Sequence, residues 1–182
     1  MDENNSHNFD NINRGDLIFT RSLDFTGKVI RFITRSEINH VAIYLGNGKI
    51  IESQLGHGVR NYDLQDYMND EKCQVYYGSL KHISSKQIET AIKNAENLLK
   101  SPYDLAGQAG ILFKIIIMGI GLGWLVKFYG KNITQNDNAY WCSELVAHCF
   151  EKAGVRFTQV DQRYATPEDF AISDLIDFKL LK

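Results

Sequence analysis

Three residues of types that can do chemistry together stand far apart in the chain: Cys142, His40 and Glu52. Cys142 lies in AYWCSELVAHCFEKAG, where Leu145, Val146, Cys149, Phe150 and Ala153 recur at helical spacing. The thiol therefore falls in the first turn of a helix. The free N–H groups and the positive end of the helix dipole there stabilise an anion. A thiol so placed, with an imidazolium beside it, can have a pKa several units below the usual value of about 8.5, and the thiolate is the nucleophile. His40 and Glu52 bracket NHVAIYLGNGKIIES, two apolar β-prone runs around Gly-Asn-Gly. An imidazole and a carboxylate are poor choices for strands this apolar, unless one accepts the thiol proton and the other orients the ring.

The hairpin must put His40 and Glu52 on one face. A two-residue Asn-Gly turn would set Glu52 opposite Ile43 and send the two side chains to opposite faces. A three-residue Gly-Asn-Gly loop would set Glu52 opposite Ala42 and make the two diagonal neighbours. The triad therefore requires the odd-length loop, with Gly48 suited to its left-handed position. The strand behind His40 is apolar on both sides, with Val41, Ile43 and Leu45 on one and Ala42 and Tyr44 on the other, so it reads as central and covered. The competing histidines fit less well. His148 is six residues from Cys142, about 240° round the helix. His57 sits in Gly-His-Gly, His82 precedes a helix, and His7 is near the N-terminus.

Further elements frame these residues. RGDLIFTR reads as a strand, and DFTGKVIRFITRS as an amphipathic helix with Lys28, Arg31 and Arg35 on its polar face. VRNYDLQDYM suggests a short strand and a helical turn, and CQVYYGSL another strand. SSKQIETAIKNAENLLKSP is the clearest helix, with Ser84 and Gln87 as a capping box. Near the C-terminus, Thr166, Pro167 and Asp169 mark a helix start, and LIDFKLL closes as a strand.

Length and composition narrow the functional classes. The chain has 182 residues, 44% of them apolar, which suits one packed domain over residues 14–182 with residues 1–13 as a loose polar tail. A formal net charge of −2 provides no basic field for nucleic acid. The polar N-terminus lacks the pattern of a secretory signal, and three cysteines cannot all pair, so free thiols and a cytoplasmic location are expected. Cys73 and Cys149 read as inert core thiols. No metal-ligand spacing appears, so neither metal nor cofactor is expected. Residues 111–126, ILFKIIIMGIGLGWLV, are too short a run to span a bilayer, which takes roughly 20 apolar residues. They read as a buried insertion or as an apolar surface for lipid, which would make the protein membrane-peripheral.

The motifs resemble the papain-like NlpC superfamily, in which a "DCSGLV"-type helix supplies the nucleophile and a "HVGIYLGNG"-type strand the base. Here the strand precedes the cysteine helix. With "GDLIF", "CSELV" and "TPEDF", that order resembles the circularly permuted YiiX/YaeF-like amidases over most of residues 14–182. The resemblance implies an α+β papain-like fold, an antiparallel sheet with the cysteine helix packed against it. It maps nucleophile, base and third residue onto Cys142, His40 and Glu52. PYDLAG resembles the "PYxWGG" segment of standard members, which implies that Tyr103 borders the site as a substrate or oxyanion contact; packing between helices is the alternative. The implied activity is cysteine-dependent hydrolysis of a peptide or isopeptide amide, related to cell-wall peptide. Two other functions fit the same residues: an ester or thioester lipid hydrolase or acyltransferase, with 111–126 meeting the acyl chain, and a non-catalytic binding module.

Overall fold

Short runs of branched and aromatic residues, bounded by glycine turns, build the centre of the molecule. The structure is a computed structural model that describes residues 9–23, 37–103, 139–161 and 165–182. In chain order the described elements are β1 (Leu17–Ser22), β2 (His40–Gly46), β3 (Lys49–Gln54), β4 (Gly58–Asp63), α1 (Leu64–Asn69) and β5 (Cys73–Leu80). Then follow α2 (Ser85–Asn97), α3 (Cys142–Lys152), α4 (Pro167–Ala171) and β6 (Ile176–Leu180). Among the described residues the strands form one antiparallel sheet in the order β4-β3-β2-β1-β5-β6. The architecture is the α+β, papain-like one expected from the motifs. The amphipathic stretch at 24–36 and the apolar stretch at 111–126 lie outside the described residues.

The sheet is covered on both faces, as the double-sided apolar pattern of β2 requires. On one face Leu17, Phe19, Val41, Ile43 and Ile51 join Ala91 and Ile92 of α2 and Leu145, Val146, Cys149 and Phe150 of α3. On the other, Ile18, Ala42, Tyr44 and Ile50 meet Leu64 and Met68 of α1. Packing begins earlier than Arg14: Ile12 is buried in the second core, and the Phe9 ring lies 6.4 Å from that of Tyr44. The helix signals act where the sequence placed them. Ser84 and Gln87 form the capping box of α2, and Thr166 caps α4 with Pro167 in its first turn.

The β2–β3 hairpin corrects the expected loop while keeping its consequence. The turn has two residues, Asn47 and Gly48, both with positive φ (52° and 71°). That is the conformation a tight hairpin favours, because its twist matches that of the strands. Gly46 pairs with Lys49, but Tyr44 pairs with Ile50 and Ile43 with Ile51, so the register slips by one between Tyr44 and Gly46. A bulge at Leu45, and not a third loop residue, supplies the odd residue. Its effect on parity is the same, and Glu52 comes onto the face of Ala42 and His40. The three-residue loop occurs in the next hairpin: Gln54 pairs with Gly58 around Leu55, Gly56 and His57.

Candidate active site

His40 opens β2, a strand flanked by β1 and β3, and pairs with Thr20 of β1. Its ring is buried, and Nε2 lies 2.8 Å from Oε2 of Glu52. Glu52 is 0% exposed. Burying an isolated carboxylate costs many kcal/mol, so its acceptor positions must be filled. Oε2 also accepts from the Tyr67 hydroxyl at 2.9 Å, and Oε1 from Nε and Nη2 of Arg60 at 2.9 and 2.8 Å. Arg60 stands directly across from Glu52 in the β3–β4 ladder, and Tyr67 reaches in from α1.

The thiol comes from the other side of the sheet. α3 packs on the face lined by Val41, Ile43 and Ile51, while His40 and Glu52 belong to the opposite face. The two meet because His40 is at the mouth of its strand and Cys142 at the first position of its helix, buried and within hydrogen-bonding reach of the ring. With Nε2 engaged by Glu52, Nδ1 is the ring nitrogen left for sulfur. The approach of Cys142 is held by its neighbours. The Ser53 hydroxyl donates to the Tyr140 carbonyl in a short hydrogen bond, and the Tyr140 N–H donates to the Pro102 carbonyl at 3.1 Å. The Ser143 hydroxyl donates to the Ala165 carbonyl at 2.6 Å. Adjacent residues of β3 thus serve both halves: Glu52 turns to His40, and Ser53 to the segment that delivers Cys142.

The electrostatics follow from these contacts. Burial alone would lower the imidazole pKa. The hydrogen bonds and negative charge offered by Cys142 and Glu52 outweigh it and raise the value from 6.5 to about 10. For Glu52, burial pushes upward, but His40, Tyr67 and Arg60 prevail and hold the carboxyl below its ordinary 4.5. Burial raises the pKa of two other thiols, Cys73 up to about 11 and Cys149 up to about 12, so both stay protonated and inert near neutrality.

The structure therefore brings Cys142, His40 and Glu52 together. Tyr103, half-buried, follows Pro102 and so runs beside the segment leading to Cys142. Sequence reasoning missed Arg60 and Tyr67. Arg60 was within reach of it, because a three-residue Leu55-Gly56-His57 loop makes positions 52 and 60 partners.

Comparison with known proteins bears on the family and the fold. A family model described as permuted papain-like amidase enzyme, YaeF/YiiX, C92 family, matches residues 11–109. This chain belongs to the permuted papain-like amidase family. Cysteine-dependent amide hydrolysis is that family's chemistry. The matched stretch contains His40 and Glu52 and ends before Cys142. A curated relative, the probable lipoprotein peptidase YaeF of Escherichia coli K12, is 26% identical over an alignment of 182 positions that covers 91% of this chain and 66% of that protein's own length. A crystal structure of the metalloprotein yiiX from Escherichia coli O157:H7 superposes with a TM-score of 0.62 at 17% identity, covering 91% of this chain and 94% of that one, which shows a shared fold. In this chain, among the described residues, no group of three or more His, Cys, Asp or Glu side chains is arranged to hold a metal ion. No helix among them is long and apolar enough to cross a membrane.

Proposed function

We propose that the protein cleaves a peptide or isopeptide amide through a covalent acyl-cysteine, with Cys142 as nucleophile, His40 as base and then acid, and Glu52 as the group that orients the ring. The observation that carries this reading is the linear order of contacts: thiol at a helix N-terminus, imidazole beside it, and a buried carboxylate 2.8 Å from the far ring nitrogen. His40 accepts the Cys142 proton, and sulfur attacks the carbonyl carbon while the carbonyl electrons move onto oxygen. The Cys142 N–H, free of any intrahelical partner, faces the developing oxyanion, with Tyr103 as a further contact. Collapse expels the amine, which takes the proton from His40 and leaves a thioester. His40 then deprotonates water, the hydroxide attacks the thioester, and carboxylic acid and thiol are released. Glu52 keeps the Nε2 proton in place and stabilises the imidazolium without accepting its proton. The steps use side chains and water alone. The substrate, by resemblance, is an amide of the cell-wall-peptide kind.

The test is chemical. At pH 6, iodoacetamide should modify Cys142 at least about tenfold faster than Cys73, and His40→Ala should abolish that advantage. Acid-quenched incubations with a peptide amide and with a phospholipid, read by peptide mass spectrometry, should show acylated Cys142 with the amide. Equal labelling of Cys142 and Cys73 would defeat the nucleophile assignment. Acylation by phospholipid alone would make the enzyme a lipid acyl hydrolase.

A further inference from the structure

The orienting residue here carries a full negative charge, and it is fully buried. A neutral acceptor at that position would hold the His40 ring equally well and leave one anion, the Cys142 thiolate, for one cation, the imidazolium. A carboxylate adds a second anion. With His40 as the sole cation, the neutral arrangement would be imidazolium, carboxylate and protonated thiol, which is the unreactive form. Arg60 changes that count. Its Nε and Nη2 both reach Oε1 of Glu52, at 2.9 and 2.8 Å, while Oε2 is left to His40 and Tyr67. A guanidinium cannot give up its proton, so the compensation is permanent. Its plane is held in turn: the Arg60 head lies 4.1 Å from the centroid of the Tyr62 ring, which packs edge-on against Tyr67 at 5.3 Å.

Resting on the proposed role of Cys142, we propose that Arg60 is a positioning residue that neutralises Glu52 and so leaves the His40 imidazolium free to pair with the Cys142 thiolate. The charged and titratable groups about this cluster come from every element that meets it: His40 from β2, Glu52 from β3, Arg60 and Tyr62 from β4, Tyr67 from α1 and Cys142 from α3. Two more acids stand further out. Asp66 of α1 faces the Tyr62 hydroxyl, and Glu144 accepts from the Trp141 N–H at 3.5 Å. Neither replaces Arg60, since a carboxyl group cannot supply a positive charge.

The experiment follows iodoacetamide modification of Cys142 from pH 4 to 10 in the full chain, for wild type, Arg60→Met, Arg60→Lys, Glu52→Gln and the double variant Glu52→Gln/Arg60→Met. Circular dichroism and Tm establish that each is folded. Arg60→Met should move the pH midpoint up by one unit or more, which lowers the rate at pH 6 about tenfold. Arg60→Lys, which keeps the charge, should stay within about threefold of wild type. The double variant should regain most of the lost rate, because a neutral orienter needs no counter-ion. A merely structural arginine would lower Tm without moving the midpoint and without rescue by Glu52→Gln. A folded Arg60→Met protein with the wild-type midpoint overturns the proposal, as does a double variant as slow as Arg60→Met. If Arg60→Met does not fold, the double variant decides: a midpoint equal to that of Glu52→Gln supports the role, and a further upward shift overturns it. If the wild-type thiol reacts only at the pH of an ordinary cysteine, the nucleophile reading itself fails, and Arg60 falls with it; that result is seen in the wild-type arm alone.

Discussion

At the scale of residues, the site couples proton binding to folding through two groups with opposite signs. The His40 pKa is raised in the folded state from 6.5 to about 10, so its contribution to stability is complete below pH 6.5 and is lost as pH climbs towards 10. The Glu52 pKa is lowered from 4.5, so its contribution is complete above that value and is lost as pH falls below it. Both act fully only between about pH 4.5 and 6.5. The Tm measured by calorimetry should therefore be highest in that window and decline towards pH 10. In Glu52→Gln, which removes one of the groups raising the imidazole, the decline should be finished at lower pH. A Tm that is level from pH 6 to 10, and the same in both proteins, would show that His40 gains no proton affinity on folding. This scale was the most legible in the sequence. Cys142, His40 and Glu52 announce themselves because each breaks an apolar pattern or starts a helix. Tyr67 does not: it is one aromatic on a short helix, and a tertiary contact across the sheet face points it at Glu52.

At the scale of elements, the geometry depends on two hairpins and a clamp. The sequence pattern demanded odd parity between His40 and Glu52, and that demand was met. Local sequence could not say how, because Gly-Asn-Gly suits a three-residue loop as well as a tight turn preceded by a bulge. The sheet twist favours the tight turn, and the spare residue is absorbed at Leu45. The clamp is the run 100–102, which exchanges backbone hydrogen bonds with Val59 at 2.8 and 2.9 Å before Pro102 receives the Tyr140 N–H. Gly58 permits this approach: its φ is +70°, and a Cβ there would stand 2.2 Å from the Ser101 carbonyl oxygen. Gly58→Ala should cost about 1–2 kcal/mol for the left-handed backbone alone, with the displaced carbonyl adding to it. It should also slow Cys142 modification at pH 6 several-fold, since the segment delivering the thiol shifts with 100–102. Ser84→Ala is the control. It removes the α2 cap for about 1 kcal/mol and should lower Tm while leaving Cys142 reactivity unchanged. If both variants lose stability and neither changes the thiol, the clamp does not position Cys142.

At the scale of the whole molecule, Cys142 and His40 come from separate stretches, 9–103 and 139–182, yet one core joins them. Leu145, Val146, Cys149, Phe150, Phe157, Phe170 and Ile176 of the second stretch share a cluster with Leu17, Phe19, Val41, Ile43, Ala91 and Ile92 of the first. β6 extends the sheet built by the first stretch through its pairing with β5, and Ile176 sits over Gly78 so closely that a Cβ there would lie 2.5 Å from its methyl group. Neither stretch can leave this core without exposing to water the apolar area that it buries there. One cooperative unfolding transition is therefore expected, although chains above about 150 residues often populate intermediates. Cys149 reports on the second stretch, because it is 0% exposed in the core of α3, and far-UV circular dichroism reports on the whole. In a urea series, labelling of Cys149 by a thiol reagent and loss of ellipticity should share one midpoint. Labelling at lower urea, with the sheet signal intact, would mean that α3 detaches as a unit. The Cys142–His40 contact would then depend on a docking equilibrium, and thiol reactivity would fall with urea well before the fold does.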